Sequence, residues 1–232
     1  MSRREAAGCC SAVHEMATAV EAAGRRCLRA TNAGLARLGW RVVREGAKRP
    51  PLPRLDRSLR GDRVLLRRFD ADDAAELVAI DSASDLRYWA NWRMLATPDE
   101  ARRWIQSQEN QRSSGEGPVL AVVEAAADRV CGMLEVHRID WNYGRASIGL
   151  WLIPEARGRG LMAEALAMFV RWIFSSTTLE RLECLTLAEN EHAIALAESC
   201  GFRREGVLRR RVMRDGHHRD AVLLSLLRED LS

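Results

Sequence analysis

The stretch from Trp151 to Leu166 constrains the fold of this chain more than any other. An apolar strand pattern ends there at Pro154, a loop rich in glycine and arginine follows, and an amphipathic helix begins at Leu161. Gly158 and Gly160 let backbone N–H groups approach an anion closely, and the helix N-terminus adds partial positive charge. The stretch therefore predicts a strand, loop and helix unit that can hold a pyrophosphate.

Two arginines, Arg157 and Arg159, add full positive charge to the same loop. The loop lacks the GxxxxGK[ST] of a P-loop and the GxGxxG spacing of a dinucleotide fold. An ordinary strand-to-helix turn with two solvated arginines would have the same local sequence. The loop alone leaves both interpretations open.

The sequence after residue 53 predicts a mixed α/β domain, because helical spacing alternates with short β-rich segments. The clearest helix start is Thr97-Pro98-Asp99-Glu100, which combines a capping hydroxyl, a proline at the first helical position and a capping-box carboxylate. The predicted order is β-α-α-β-β-β-α-β-α-β-β. The predicted strands are 64–69, two within 119–140, 146–153, 182–187, 205–213 and 219–227, and the predicted helices end near 83, 112, 175 and 200.

The first 52 residues are predicted to be a separate basic segment ahead of a domain at 53–232. Residues 1–50 hold ten Lys and Arg against four Glu, whereas the whole chain of 232 residues has a net charge of +4. A proline cluster at 50–53 predicts a linker, and the spacing of apolar residues over 17–43 indicates a marginal amphipathic helix. Such a segment can contact nucleic acid, the ribosome or an acidic membrane surface, or it can be a solvated appendage.

Several classes of protein are disfavoured. No stretch approaches the roughly 18 consecutive apolar residues of a membrane span. His14, Glu15 and Glu21 interrupt the apolar part of the N-terminus, which does not suit a signal peptide. The six cysteines show no CxxC pairing, so neither a zinc site nor a disulfide framework is indicated. We therefore expect a cytoplasmic protein with reduced thiols and no metal.

The run Arg157-x-x-Gly160-x-Met162 resembles (Q/R)xxGx(G/A), the acetyl-CoA motif of the GNAT superfamily of acetyltransferases. Met162 replaces the usual Gly or Ala, but Gly-Leu-Met is expected in the RimJ/RimL-like branch, which acetylates ribosomal proteins at an N-terminal Ala or Ser. Asn190 followed by the CGFRREG of 200–206 resembles a second motif of that branch.

The sequence DGHHRDA at 215–221 is similar to the closing hairpin of the same branch. The resemblance covers about residues 58–230. It implies an α/β (α+β) GNAT fold, with a central mixed and mostly antiparallel sheet of about seven strands flanked by about four helices.

The resemblance also implies an acetyl-CoA site. Backbone groups of Leu152 and Ile153 would pair with the pantetheine arm, in a splay between two parallel strands. Asn190 would lie near the cofactor, or it would only cap the helix that begins at Glu191. The backbone amides of the loop would hold the pyrophosphate, and the residues concerned are Arg157, Gly158, Arg159, Gly160, Leu161 and Met162.

The catalytic side chains of the family are partly missing. Ser147 stands where many relatives have Glu, and Ala193 and Val212 also depart from the family pattern. Ser147 stays a candidate catalytic residue for its position, but no general base can be carried over. An α-amine titrates near ~8 and a lysine near ~10.4, so an N-terminal substrate needs only a modest base.

Glu135 and His137 are the replacement candidates. Alternation along the strand at 130–139 places Met133, Glu135 and His137 on one face. A carboxylate and an imidazole on one face of a central strand could activate water. Alternatively, both side chains only line a solvated face.

Three tryptophans, Trp89, Trp92 and Trp104, fall around the two early helices, which border the acceptor site in the fold that the resemblance implies. An aromatic cleft would suit a peptide end. Core packing is the alternative explanation for each tryptophan.

These observations predict an acyltransferase that moves acetyl from acetyl-CoA to a primary amine, preferably the N-terminal α-amine of a protein. The alternatives are a small amine such as a polyamine, an aminoglycoside or an amino acid, and a catalytically weak acyl-CoA-binding module. The expected partners are the acceptor and, through the basic segment, ribosome or RNA. The protein would be a monomer or a homodimer.

Overall fold

A computed structural model of the chain describes residue 55 and the ranges 58–83, 85–90, 95–114 and 116–231. The predicted basic segment at 1–52 lies outside these ranges. Within them, no helix combines the length and the apolar character that crossing a membrane requires.

The described residues form a single eight-stranded sheet in the order β1-β2-β3-β4-β5-β6-β8-β7. All neighbouring strands are antiparallel except β5 and β6, which are parallel and are joined by a helical crossover. The strands are β1 Leu59–Arg60, β2 Val64–Arg67, β3 Val119–Glu124, β4 Arg129–Asp140, β5 Arg145–Leu152, β6 Arg181–Leu187, β7 Arg203–Arg214 and β8 His217–Leu227.

The α-helices of the described ranges pack on both faces of this sheet. Helix α4 lies against β2, β3 and β4, and α5 against β6, β7 and β8. Helix α2 contacts β5 from the opposite face, where α1 and α3 pack together. The helices are α1 Ala74–Ala83, α2 Leu86–Ala90, α3 Pro98–Ser113, α4 Leu161–Ser176 and α5 Glu191–Ser199.

Helix α4 carries the largest apolar face. The sequence predicts an amphipathic helix here, and its apolar face of Met162, Leu166, Phe169, Val170 and Ile173 is buried in full. Each side chain of this size contributes about 1.5–3 kcal/mol when it leaves water. This packing fixes the helix, and with it the loop that precedes it, against the sheet.

The start of α3 follows its sequence closely. Thr97 Oγ1 accepts a hydrogen bond from the Glu100 amide at 3.2 Å, and Pro98 takes the first helical position. The Glu100 carboxylate accepts from the Ala96 amide at 2.9 Å, one residue before the cap. The predicted helix start is confirmed, with this shift in the capping-box partner.

The predicted fold class is confirmed, and two short elements were not predicted. Strand β1 is only two residues long and pairs only with β2, so it has no periodicity to detect. Helix α2 is five residues long, shorter than an isolated helix can sustain. Its first turn depends on the Asp85 carbonyl, which accepts from the Tyr88 and Trp89 amides at 3.0 and 3.2 Å.

Candidate functional site

Strands β5 and β6 separate partway along their length. Their parallel pairing runs from Arg145 opposite Arg181 to Ile148 opposite Cys184. Strand β5 then continues to Leu152 and β6 to Leu187 without pairing to each other. The two diverging strand ends leave an open wedge inside the sheet.

The backbone groups that face this wedge follow from the register of β5. Ile153 donates its N–H to the Cys131 carbonyl of β4 at 2.9 Å. Because antiparallel pairing alternates, Trp151 and Gly149 also turn their backbone groups towards β4, and Leu150 and Leu152 turn theirs towards the wedge. Of the two predicted residues, Leu152 therefore faces the wedge, whereas the Ile153 amide is already paired.

The loop after β5 depends on two left-handed glycines. Gly158 has φ 70° and Gly160 φ 72°, a region that residues with a Cβ rarely adopt. Gly160 is also the N-cap of α4, and no side chain caps this helix end. The first amides of α4 therefore have no partner within the helix, which makes the loop suitable for an anion.

Arg157 does not offer its charge to a ligand. Its Nε donates to the Leu152 carbonyl at 3.1 Å, and its two terminal nitrogens hold the Asp85 carboxylate at 2.9 and 2.5 Å. The hydrogen bond from Arg157 holds the pKa of Asp85 below its usual value. The expectation that Arg157 adds a free positive charge to the loop is therefore wrong. Its side chain forms an ion pair that connects the loop to α2.

Arg159 is engaged in the same way. Its guanidinium binds both carboxylate oxygens of Glu124, at the end of β3. The hydrogen bond from Arg159 lowers the pKa of Glu124. For both arginines of the motif, the backbone rather than the side chain is available to a phosphate.

A third arginine, which the sequence did not single out, contacts this loop. Arg63 donates to the carbonyl oxygens of Arg159 and Gly160 at 2.8 and 3.4 Å. It also forms an ion pair with Glu164, in the first turn of α4, at 3.0 Å. Asp85 and Glu124 were missed as well, because each pairs with a loop arginine far away in the chain.

A cavity of about 290 Å³ lies beside the wedge, under α2 and α3. Its wall includes Glu135 and the part of β5 that no longer pairs with β6. Its lining residues are Ala90, Trp104, Gln108, Gln111, Met133, Glu135, Gly149, Leu150 and Trp151.

Glu135 reaches this cavity because its cross-strand partner is Gly149. A Cβ built at position 149 would lie 2.5 Å from Glu135 Oε1, so only glycine leaves room for the carboxylate in this position. About a third of the Glu135 side chain, 34%, is exposed. The carboxylate is therefore accessible from the cavity while its stem packs on the sheet.

His137 lies next to Glu135 on the same face. The His137 Nδ1 atom is buried and lies 3.4 Å from Glu135 Oε1. Ser147 lies opposite His137 on β5 and therefore shares that face. The structure brings the three candidate catalytic residues together, with Glu135 the only one of them that lines the cavity.

The tryptophans divide. Trp104 lines the cavity and also packs edge-on against Phe69, with ring centroids 5.3 Å apart. Trp89 packs edge-on against Tyr88 at 4.8 Å and is not one of the lining residues. Trp92 lies outside the described residues.

Asn190 caps α5. Its side-chain oxygen accepts from the Ala193 amide at 3.1 Å, and its own amide donates to the Leu187 carbonyl at 3.0 Å. The capping interpretation of this residue is therefore confirmed.

The sequence profile of the acetyltransferase (GNAT) domain matches residues 63–203. Among characterised and uncharacterised relatives, the N-acetyltransferase p20 of Bacillus licheniformis is 28% identical over 73% of this chain and 95% of its own. The spermidine N(1)-acetyltransferase of Escherichia coli K12 is 26% identical over 70% of this chain and 85% of its own.

Two solved structures show the same likeness. RimJ of Mycobacterium smegmatis, in complex with a CoA disulfide, superimposes with a TM-score of 0.66 and 25% identity over 72% of this chain and 83% of its own. A structure named as a putative ribosomal-protein-serine acetyltransferase from Vibrio cholerae gives a TM-score of 0.62 and 27% identity over 74% of this chain and 98% of its own.

Proposed function

The chain belongs to the GNAT family of acetyl-CoA-dependent N-acetyltransferases, and from that premise we propose that its acceptor is the N-terminal α-amine of a protein. The observation that supports this proposal most is the cavity beside the wedge, which presents one carboxylate, Glu135, among amide and aromatic side chains.

The residues of this chain fit the cofactor. The wedge offers the backbone of Leu150 and the amide of Leu152, whose carbonyl already accepts from Arg157, to an extended amide chain such as pantetheine. The uncapped start of α4, with Gly158 and Gly160 before it, offers amides to a pyrophosphate. Bound there, acetyl-CoA supplies the acetyl group as a thioester.

Glu135 is suited to take a proton from the acceptor. Its carboxylate lies in the cavity, and His137 beside it can hold its orientation or receive the proton in turn. An α-amine, with a pKa near ~8, is partly neutral at pH ~7 and needs only this modest help. A lysine side chain, near ~10.4, would need more.

The remaining lining residues suit a peptide end. Gln108 and Gln111 each carry a donor and an acceptor, the combination that a peptide backbone requires. Trp104 offers an apolar surface to a small first side chain. A polyamine carries several separated charges, and Glu135 is the only carboxylate among the lining residues.

A direct test uses purified full-length protein, acetyl-CoA and a panel of peptides that differ only in their first residue, with spermidine alongside. We expect release of the CoA thiol and a mass increase on the α-amine of some peptides, with no increase on their lysines. Peptides acetylated no faster than the background, together with rapid acetylation of spermidine, would contradict the proposal.

A small amine is the second candidate, because the spermidine enzyme of Escherichia coli matches this chain over most of both lengths. A catalytically weak acyl-CoA-binding module is the third. It would bind CoA and release no thiol with any amine, which separates it from both enzymes.

A further inference from the structure

Arg63, in the turn between β1 and β2, holds the carbonyl side of the glycine-rich loop. Its Nη1 donates to the Arg159 carbonyl at 2.8 Å and its Nη2 to the Gly160 carbonyl at 3.4 Å. Its Nε donates to Glu164 Oε2 at 3.0 Å, and its backbone N–H to Oε1 at 3.0 Å. All three guanidinium nitrogens are engaged with the loop or with the first turn of α4.

The contact with Arg159 fixes the direction of one backbone amide, and the contact with Gly160 adds to the bond that the Glu164 amide donates to the same carbonyl at 3.2 Å. In a planar trans peptide the C=O and the N–H point to opposite sides. When the Arg159 carbonyl points at Arg63, the amide of Gly160 points away from it. The direction of the Gly160 carbonyl sets the direction of the Leu161 amide in the same way, because both groups belong to one planar peptide. Both amides lie in the segment that we propose for the pyrophosphate.

The loop needs such a support. Gly158 and Gly160 have no side chains to restrict their backbone, and glycine loses more conformational freedom than any other residue when it is fixed. Arg63 also packs closely against Gly160. If residue 160 carried a Cβ, that atom would lie 3.1 Å from Arg63 Nη2. A site that is ordered before the ligand arrives binds more tightly than one that must be ordered by it.

We propose that Arg63 is a positioning residue for the pyrophosphate of CoA. It holds the carbonyl oxygens of Arg159 and Gly160 so that the amides of Gly160 and Leu161 face the anion. Glu164 anchors its guanidinium and offsets its charge, so the effect comes from the orientation of the amides. The inference rests on the pyrophosphate position in the proposed function and is independent of the acceptor.

The test measures binding without any acceptor amine. Wild type, Arg63→Gln and the control Arg60→Gln, an exposed arginine on the neighbouring β1, are titrated with CoA, dephospho-CoA and pantetheine in a calorimeter. We expect Arg63→Gln to weaken the binding of CoA and of dephospho-CoA by about tenfold, or about 1.4 kcal/mol. The affinity for pantetheine should stay unchanged. Arg60→Gln should match wild type for all three.

Three outcomes would overturn the inference. Equal weakening of all three ligands would assign Arg63 a general structural role. Weakening of CoA alone would place its action at the 3′-phosphate, and no weakening would leave it without a role in binding. If Arg63→Gln fails to unfold cooperatively, Glu164→Gln releases the same guanidinium, and the same selective loss is expected of it.

Discussion

Arg157 and Asp85 connect the glycine-rich loop to helix α2 through a bidentate ion pair, with N···O distances of 2.9 and 2.5 Å. Ala90, the last residue of α2, lines the cavity that we propose for the acceptor. One ion pair therefore links the proposed cofactor loop to the wall of the proposed acceptor cavity.

Asp85→Asn should impair acceptor binding more than stability. The two side chains are 39% and 41% exposed, so their pairing contributes under about 1 kcal/mol to the free energy of unfolding. Release of α2 should raise the KM for the acceptor peptide by about fivefold. Steady-state kinetics and thermal unfolding measure both quantities. The control is Glu198→Gln, which breaks the exposed pair with Arg204. If Asp85→Asn and Glu198→Gln have the same KM for the acceptor peptide, the link is refuted.

Glu135→Gln should lower turnover by about 10² with little change in CoA affinity, because it removes only a proton acceptor. The loss should shrink between about pH 6 and about pH 9, since a growing fraction of an α-amine is then already neutral. Rate measurements over that range test this. Near-full activity throughout would assign the proton to solvent or to His137.

Gly149→Ala should reduce turnover without touching a reactive group. The added Cβ would lie 2.5 Å from Glu135 Oε1, so the carboxylate must leave its position in the cavity. We expect a loss of about tenfold in turnover and unchanged CoA binding. Gly206→Ala, on β7, meets no heavy atom within 4 Å and should behave as wild type. If the two alanine variants have the same turnover, Glu135 does not need this position.

Gly160→Asp should abolish the stabilisation of the protein by acetyl-CoA. At a hundredfold excess over the dissociation constant, a ligand stabilises the native state by about 2.7 kcal/mol. The new carboxylate would strain a residue at φ 72° and repel a phosphate. Gly216→Asp places the same side chain at φ 75° in the β7–β8 turn and controls for the strain. If Gly160→Asp keeps the ligand-induced shift in melting temperature, the proposed pyrophosphate site is refuted.

The acid stability of the protein should depend on Glu205. Hydrogen bonds from Arg181, and then from Ser225, lower its pKa to about 2, against about 4.3 in an unfolded chain. A depressed carboxyl pKa stabilises the fold above the unfolded value, and this contribution is lost as the pH falls through the folded one.

The melting temperature of wild type should therefore exceed that of Glu205→Gln by a constant amount above pH ~5, and the gap should close towards pH ~2. Because 38% of the Glu205 side chain is exposed, we expect this gap to correspond to only about 1 kcal/mol in the free energy of unfolding. A gap that persists at the acid end would mean that the ion pair is not its source.

Local chemistry made much of the fold predictable. The Thr97 cap and the amphipathic pattern of α4 each depend on residues close together in the chain. The position of Glu135 and His137 on one face of β4 followed from the two-residue repeat of a strand. Such features need no knowledge of what packs on them.

Contacts between distant segments were not predictable in the same way. Arg157 meets Asp85 across 72 residues of chain, and Arg159 meets Glu124 across 35. Nothing in the local sequence shows which carboxylate folds against which arginine, so both arginines were expected to be either near the ligand or solvated, and neither ion pair was predicted. The different positions of Trp89 and Trp104 depend likewise on how α2 and α3 pack on the sheet.

The outer strand β7 bears on how this enzyme behaves in concentrated solution. It is twelve residues long and exposed along most of its length, and a long open edge can recruit the edge of another chain into an aggregate. Seven arginines between residues 203 and 219 oppose this through like-charge repulsion. The irregular pairing between Leu208 and Val212, with Arg210 at φ 53°, also breaks the flat hydrogen-bonding edge that such recruitment requires. We therefore expect charge and backbone shape together to disfavour edge-to-edge association through β7.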